Sequence, residues 1–194
     1  MQNALVAWIY ALMLLMAPPE KRVSITSKET LEQMKARYMA TAIDMASVVV
    51  SEKPLFSHKN GYIDTAALIL GVSFMESNFR HDVDIGKCWK GSCDEWQGKA
   101  TSFCLMQIHI GEGKTEEGWD KNDLIADRKK CFRAGLNLIR KSIGACGYLS
   151  GGDKLSGYTN GTCQENDKKG RARWDFSFRL HSRVKPPEEA TKKD

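Results

Sequence analysis

A chain of 194 residues, 42% hydrophobic and 27% charged, with 16 Gly and 5 Pro, is long enough for one domain with a real core. That composition excludes a disordered, collagen-like or low-complexity protein. The net charge of +5 is localised, because residues 168–194 hold nine Lys/Arg against four Asp/Glu; the body is neutral and the excess lies in a basic tail. A neutral body argues against nucleic acid as a partner, since such readers carry a basic face through their folded core.

Residues 4–16 form an uncharged apolar run of signal-core length, short for a bilayer span. It has no early Lys/Arg, and Leu15 stands where a small residue would precede a cut after Ala17. Segment 1–19 therefore reads as a signal-like or anchor segment, with a helix packed on the domain as the alternative. No second run of this kind follows, so at most one membrane anchor is expected. In segment 20–61, an N-terminal helix and linker, Thr26 and Glu29 fit a capping box. Leu31, Met34, Tyr38, Ala42, Met45 and Val49 then recur at helical spacing, a stripe assigned to core. Asp64 offers an N-cap to a second, more buried helix over 65–76. Residues 80–103 read as loop, and 103–110 as a strand or a helical turn. The spacing predicts one helix over 124–143, stopped by Gly144 and Gly147. Residues 174–181 alternate as a strand would, with a terminal helix as the alternative, and 186–194 read as a frayed tail.

Six cysteines, at 88, 93, 104, 131, 146 and 163, are even in number and show neither a CxxC nor zinc spacing with histidine. Disulfides are the better reading, and with the apolar leader they point to an exported protein. His58, His81, His109 and His181 lack metal spacing and read as surface or hydrogen-bonded residues. With no phosphate loop or nucleophile elbow either, no metal or cofactor is expected.

One residue breaks the apolar pattern: Glu76 continues the stripe Ile69, Val72, Glu76 at i, i+3 and i+7. A carboxyl in apolar surroundings is expected to have a raised pKa, which keeps it protonated for general-acid work near neutrality. On that expectation Glu76→Gln leaves stability at neutral pH unchanged or slightly higher. Taken alone, the residue reads better as a helix-end Glu that reaches water.

Its company carries more. Glu76-Ser77-Asn78-Phe79 is followed by Leu105-Met106-Gln107-Ile108, then by Asp127, Cys131 and Gly135 at helical spacing, then by Tyr158-Thr159-Asn160-Gly161. This order resembles the soluble lytic transglycosylase family of the lysozyme-like superfamily, over about residues 62–163. The resemblance implies a mainly α (α+β) lysozyme-like fold with a short β/turn element, and a catalytic domain spanning 62–185. It also implies cleavage of the MurNAc-GlcNAc β-1,4 bond of peptidoglycan with formation of 1,6-anhydromuramic ends. Carried over by position, Glu76 is the single catalytic acid/base and Tyr158 the hydroxyl facing it, and Ser77, Met106, Gln107 and Asn160 bind substrate. The partners implied are glycan strands, in the service of a secretion apparatus or a phage particle, at a periplasmic, wall-associated or virion-associated location. The alternatives are a lysozyme-type hydrolase of the same fold and a non-catalytic glycan-binding or assembly protein. A hydrolase needs a second carboxylate, for which Asp82, Asp84, Asp94 and Glu95 are available.

Three departures stand against the family's pattern. Cys104 replaces a Gly, Cys131 an Asn, and Thr159 the turn's Asn. In the family the first two positions lie close together, so the resemblance implies a Cys104–Cys131 bond. Exclusion and sequence proximity then leave Cys88 with Cys93 and Cys146 with Cys163, one of about fifteen connectivities. Trp89, Trp96 and Trp119 fall in loops bordering the implied groove and are equally suited to covering a core or a disulfide.

Overall fold

A computed structural model describes residues 1–21, 29–87, 95–96 and 99–188, with the backbone alone at 95, 96 and 99. The chain is mainly helical. Its helices are α1 (Gln2–Met16), α2 (Leu31–Ser51), α3 (Gly61–Ser77), α4 (His81–Asp84), α5 (Lys121–Ala126), α6 (Arg128–Ala145), α7 (Ser156–Asn160) and α8 (Lys168–Arg183). Two antiparallel pairs of two-residue strands interrupt them: β1 (Glu95–Trp96) with β2 (Lys99–Ala100), and β3 (Ser102–Phe103) with β4 (Ile108–His109).

Helix α3 lies at the centre because it is apolar all round, and a helix without a polar face has to be enclosed. Residues Ile63, Ala66, Ala67, Leu68, Ile69, Leu70 and Val72 are all buried. Helices α1, α2, α6 and α8 pack on it, α8 most extensively. A methyl group at Gly71 would stand 2.1 Å from Ser177 Oγ, so α3 and α8 approach more closely than any larger residue permits.

The apolar N-terminal run is helix α1, with Leu5, Trp8, Ile9, Leu12 and Met13 buried, chiefly against α2. Trp8 Nε1 donates to Val184 O (2.9 Å) and Tyr38 Oη to Ala17 O (3.1 Å). Among the described residues 2–21 alone form a helical stretch long and apolar enough to cross a membrane. An apolar N-terminal helix together with disulfides suits an exported protein in an oxidising environment.

Helix starts account for most differences from the sequence reading. Thr30 and Gln33 form the capping box of α2, with bonds of 3.2 and 2.8 Å. Thr26 lies outside the described residues, and Glu29 instead grips Arg37 (2.7 Å). Asn60, not Asp64, precedes α3; Asp64 sits one turn in, between His58 (3.2 Å) and His181 (3.3 Å). The single helix expected over 124–143 is two, because Asp120 caps α5 and Asp127 caps α6, leaving extended backbone at Asp127. The alternation at 174–181 belongs to helix α8. Its aromatic residues fall on two flanks, Phe176 stacking on Phe74 (5.3 Å) while Trp174 and Phe178 meet Phe56, and this doubling imitates a strand's period. The basic stretch is accordingly a packed helix, on which Lys168, Lys169, Arg171, Arg179 and Arg183 remain exposed.

The start of α8 is held by two carboxylates. Asp167 accepts from the N–H groups of Lys169 (3.1 Å) and Gly170 (2.9 Å) and from Thr159 Oγ1. Asp153 accepts from Arg171 (2.7 and 2.6 Å) and from the N–H groups of Asn166 and Asp167. Burial opposes ionisation of Asp167, but these bonds and one from Asn160 outweigh it and hold its carboxyl below the usual range. Arg171 does the same first of all for Asp153. A carboxyl depressed in the folded state contributes stability that is present above its unfolded value, about 3.9, and lost as pH falls through the lower folded value. Asp167→Ala should cost about 1 kcal/mol at pH 7. In acid unfolding followed by circular dichroism, the variant should lose stability less steeply than the wild type below about pH 4.

Candidate active site

Where α3 ends, the chain turns sharply. Asn78 and Phe79 both take left-handed backbone (φ 54° and 52°), and Ser77 Oγ stabilises the turn by donating to Ser73 O (2.7 Å) and accepting from Phe79 N–H (3.2 Å). Glu76 is thereby placed at the mouth of a cleft of about 430 Å³ lined from α3, the β3–β4 hairpin, α6, α7 and α8. Its walls include Ser102, Gln107, Ile108, His109, Leu138, Tyr158, Thr159, Lys169 and Arg173. Among the described residues Glu76 is the one carboxylate on this lining.

The hairpin turn carrying Gln107 is built from two further left-handed residues, Cys104 (φ 60°) and Gln107 itself (φ 48°). The Gln107 N–H and its Nε2 both donate to Cys104 O at 3.0 Å. Such backbone costs about 1–3 kcal/mol per non-glycine residue and collects at functional sites. Four of the five described non-glycine residues with positive φ flank this cleft. Cys104 is bonded to Cys131 on α6, and Cys146 to Cys163 beside α7. The expected Cys88–Cys93 pair lies outside the described residues.

Tyr158 reaches the cleft on α7, whose position is fixed by Tyr158 N–H donating to Ser142 Oγ (2.9 Å). Its hydroxyl donates to Met106 O (3.0 Å). Burial first, then the charge of Glu76, push the phenol well above its ordinary value, with Arg173 opposing. Tyr158 is therefore a neutral donor throughout the working pH range.

Of the residues the sequence pointed to, Glu76, Gln107 and Tyr158 converge on the cleft, and three do not line it. Ser77 is buried in the turn after α3. The Met106 side chain is buried beneath the hairpin, where it accepts from Ser73 Oγ (2.8 Å) and lies so close to Gly135 that a Cβ there would stand 2.4 Å from Cε. Asn160 is exposed and bonds to Asp167. Asp82 is paired with Arg80, and Asp84 with Arg128 (2.6 Å). Asp94 lies outside the described residues, and so does the Glu95 side chain. Trp119, half-buried beneath Lys130, is not on the lining, and Trp89 also lies outside the described residues.

The surroundings of Glu76 correct the expectation of an apolar site. Arg173 donates to Glu76 Oε1 through Nε (2.8 Å) and Nη2 (2.7 Å), and the two side chains are only 17% and 14% exposed. Sequence reasoning missed Arg173, because no local signal links positions 76 and 173. It placed Lys169 only in the basic tail, and it read His109 as a surface or hydrogen-bonded residue; His109 is exposed, with Nδ1 3.3 Å from Ser102 Oγ. A second hollow of about 190 Å³ shares Ile108, His109 and Leu138 with the cleft and continues it towards Glu116, Glu117 and Lys141. The two hollows adjoin along that shared wall and are together called the groove. No group of His, Cys, Asp or Glu among the described residues is arranged to hold a metal ion. The chain matches no family model, no curated protein and no solved structure.

Removing the Cys104–Cys131 bond in a double Ser variant should cost about 2–5 kcal/mol in chemical denaturation. Tyr158→Phe should cost about 0.5–1.5 kcal/mol in the same measurement, because it strands the Met106 carbonyl.

Proposed function

We propose that this groove cleaves a glycan strand of peptidoglycan by lytic transglycosylation on a lysozyme-like scaffold, with Glu76 as the single acid/base. The observation that carries the reading is the meeting of Glu76, Gln107 and Tyr158 in one cleft, although 82 positions separate the first from the last. These are positions at which the sequence resembles that family. In the reaction, the Glu76 carboxyl gives its proton to the glycosidic oxygen and the bond from C1 to that oxygen breaks. The acetamide oxygen of the same muramyl residue bonds to C1 in its place. The Glu76 carboxylate then takes the C6 hydroxyl proton as O6 attacks C1 and displaces the acetamide oxygen, which leaves an anhydro ring and restores the carboxyl. No water is consumed.

Among the described residues Glu76 is the one carboxylate on the lining, which suits this route, and a second hollow adjoining the cleft suits a polymeric substrate. An exported, periplasmic or wall-associated location fits the apolar leader and the disulfides, and a secretion apparatus or phage particle is the kind of assembly such an enzyme serves. One observation favours a second reading, a non-catalytic glycan-binding protein: the ion pair with Arg173 gives Glu76 a structural use.

Mass spectrometry of purified glycan strands separates the readings. Anhydro ends support transglycosylation, reducing ends a hydrolase, and intact strands a binding protein. Glu76→Gln should lower the rate of anhydro-end formation by about 10²–10⁴-fold or more, since both proton transfers lose their agent. Contrary to the expectation from sequence, stability should fall, by up to about 1.5–3 kcal/mol, because a sheltered Arg173 loses its charged partner. A Glu76→Gln variant releasing anhydro ends at the wild-type rate would overturn the assignment.

A further inference from the structure

The carboxyl assigned to catalysis does not stand alone, and its partner bears on how it works. Arg173 lies on α8, 97 positions from Glu76, and holds Oε1 through two nitrogens in a pair largely shielded from solvent. Its Nη1 also donates to Lys169 O (3.1 Å), which ties the guanidinium to its own helix. A guanidinium tethered in this way fixes the plane and direction of the carboxyl it grips.

Among the described residues, the other groups on the cleft lining do not offset that charge. From α8 comes Lys169, a second cation; from α7 Tyr158, neutral; from β4 His109; and from α6 the apolar Leu138. No other acid lines the cleft among the described residues. An adjacent cation favours the ionised form of a carboxyl, the form that accepts a proton, over the form that donates one.

We propose that Arg173 is a positioning residue of this cleft, which orients the Glu76 carboxyl and confines its proton-donating form to the acid side of neutrality. The inference rests on the transglycosylase reading. Under it, the first step, protonation of the glycosidic oxygen, is the one that Arg173 restrains. The second, removal of the C6 hydroxyl proton, is the one that it favours. Cleavage is consequently fastest in mildly acidic surroundings.

Two measurements test this. In pH profiles of kcat/KM for glycan cleavage, R173M should move the alkaline limb upward by about 1–3 pH units. R173K should return the limb towards its wild-type position with kcat still reduced, because one ammonium keeps the charge but not the two-nitrogen grip. R173Q, which removes the charge while keeping hydrogen-bonding capacity, should shift the limb as R173M does, and stands in for it if R173M does not fold. A loss of activity by the same factor at every pH would make Arg173 merely structural and overturn the proposal. The second measurement needs no turnover: carbon-13 NMR of the Glu76 carboxyl through a pH titration should show the same displacement between wild type and R173M. If the carboxyl moves and no glycan is cleaved, the functional reading falls and the role of Arg173 stands. If wild type cleaves glycan and neither limb nor carboxyl moves, the role of Arg173 falls alone.

Discussion

Helices α3 and α8 meet at a glycine, and the groove takes its shape from that meeting. With only a hydrogen at position 71, the backbone of α3 comes up against Ser177, and the two helices run antiparallel in a fixed register. Asp64 faces His181 at one end, Phe74 stacks on Phe176 nearer the other, and Glu76 meets Arg173 at the mouth. Five residues of helix, about 7.5 Å, separate Gly71 from Glu76. The catalytic candidate thus inherits its position from a contact deep in the core. Asp167 and Asp153 act on the same register from outside, since they decide where α8 begins.

The opposite wall depends on covalent chemistry. The hairpin turn needs left-handed backbone at both ends of Cys104 to Gln107, which the chain adopts without glycine. The bond from Cys104 to Cys131 fastens that turn to α6, and the Tyr158 hydroxyl fastens the next residue but one through its carbonyl. Disulfide, tyrosine and turn form one unit, in which Gln107 is the part presented to the groove.

Much of this was legible in the sequence and some was not, for identifiable reasons. The buried character of α3 and the stripe of α2 were readable, because apolar periodicity is a property of short windows; the pairing of Cys104 with Cys131, 27 positions apart, came instead from the resemblance, which implies that the two substituted positions lie close together. Helix starts were displaced, since Thr30, Asn60, Asp120 and Asp127 compete with neighbours of equal capping ability, and the winner is chosen by packing. Helix α8 was obscured by aromatics on both its flanks. Arg173 and Lys169 were read as part of a basic tail, and nothing within a window around either residue indicates that both face Glu76. Ser77 and Met106 were recognised as belonging to the site, but they lie beneath it and shape it from behind.

The bond from Trp8 to the carbonyl of Val184 joins the two ends of the folded chain across 176 positions. At a synthesis rate of about 5–20 residues per second, roughly 10–35 seconds pass between the emergence of one partner and the other. During that interval α8 is incomplete, so α1 has α2 and α3 to settle on but lacks the contact that Trp8 makes with Val184. The same fifteen residues that complete the core of the finished protein therefore keep one flank open until α8 is made. A single helix can in this way stand open on one side while the chain is being made and serve as a wall of the domain afterwards, with the order of synthesis setting when it closes.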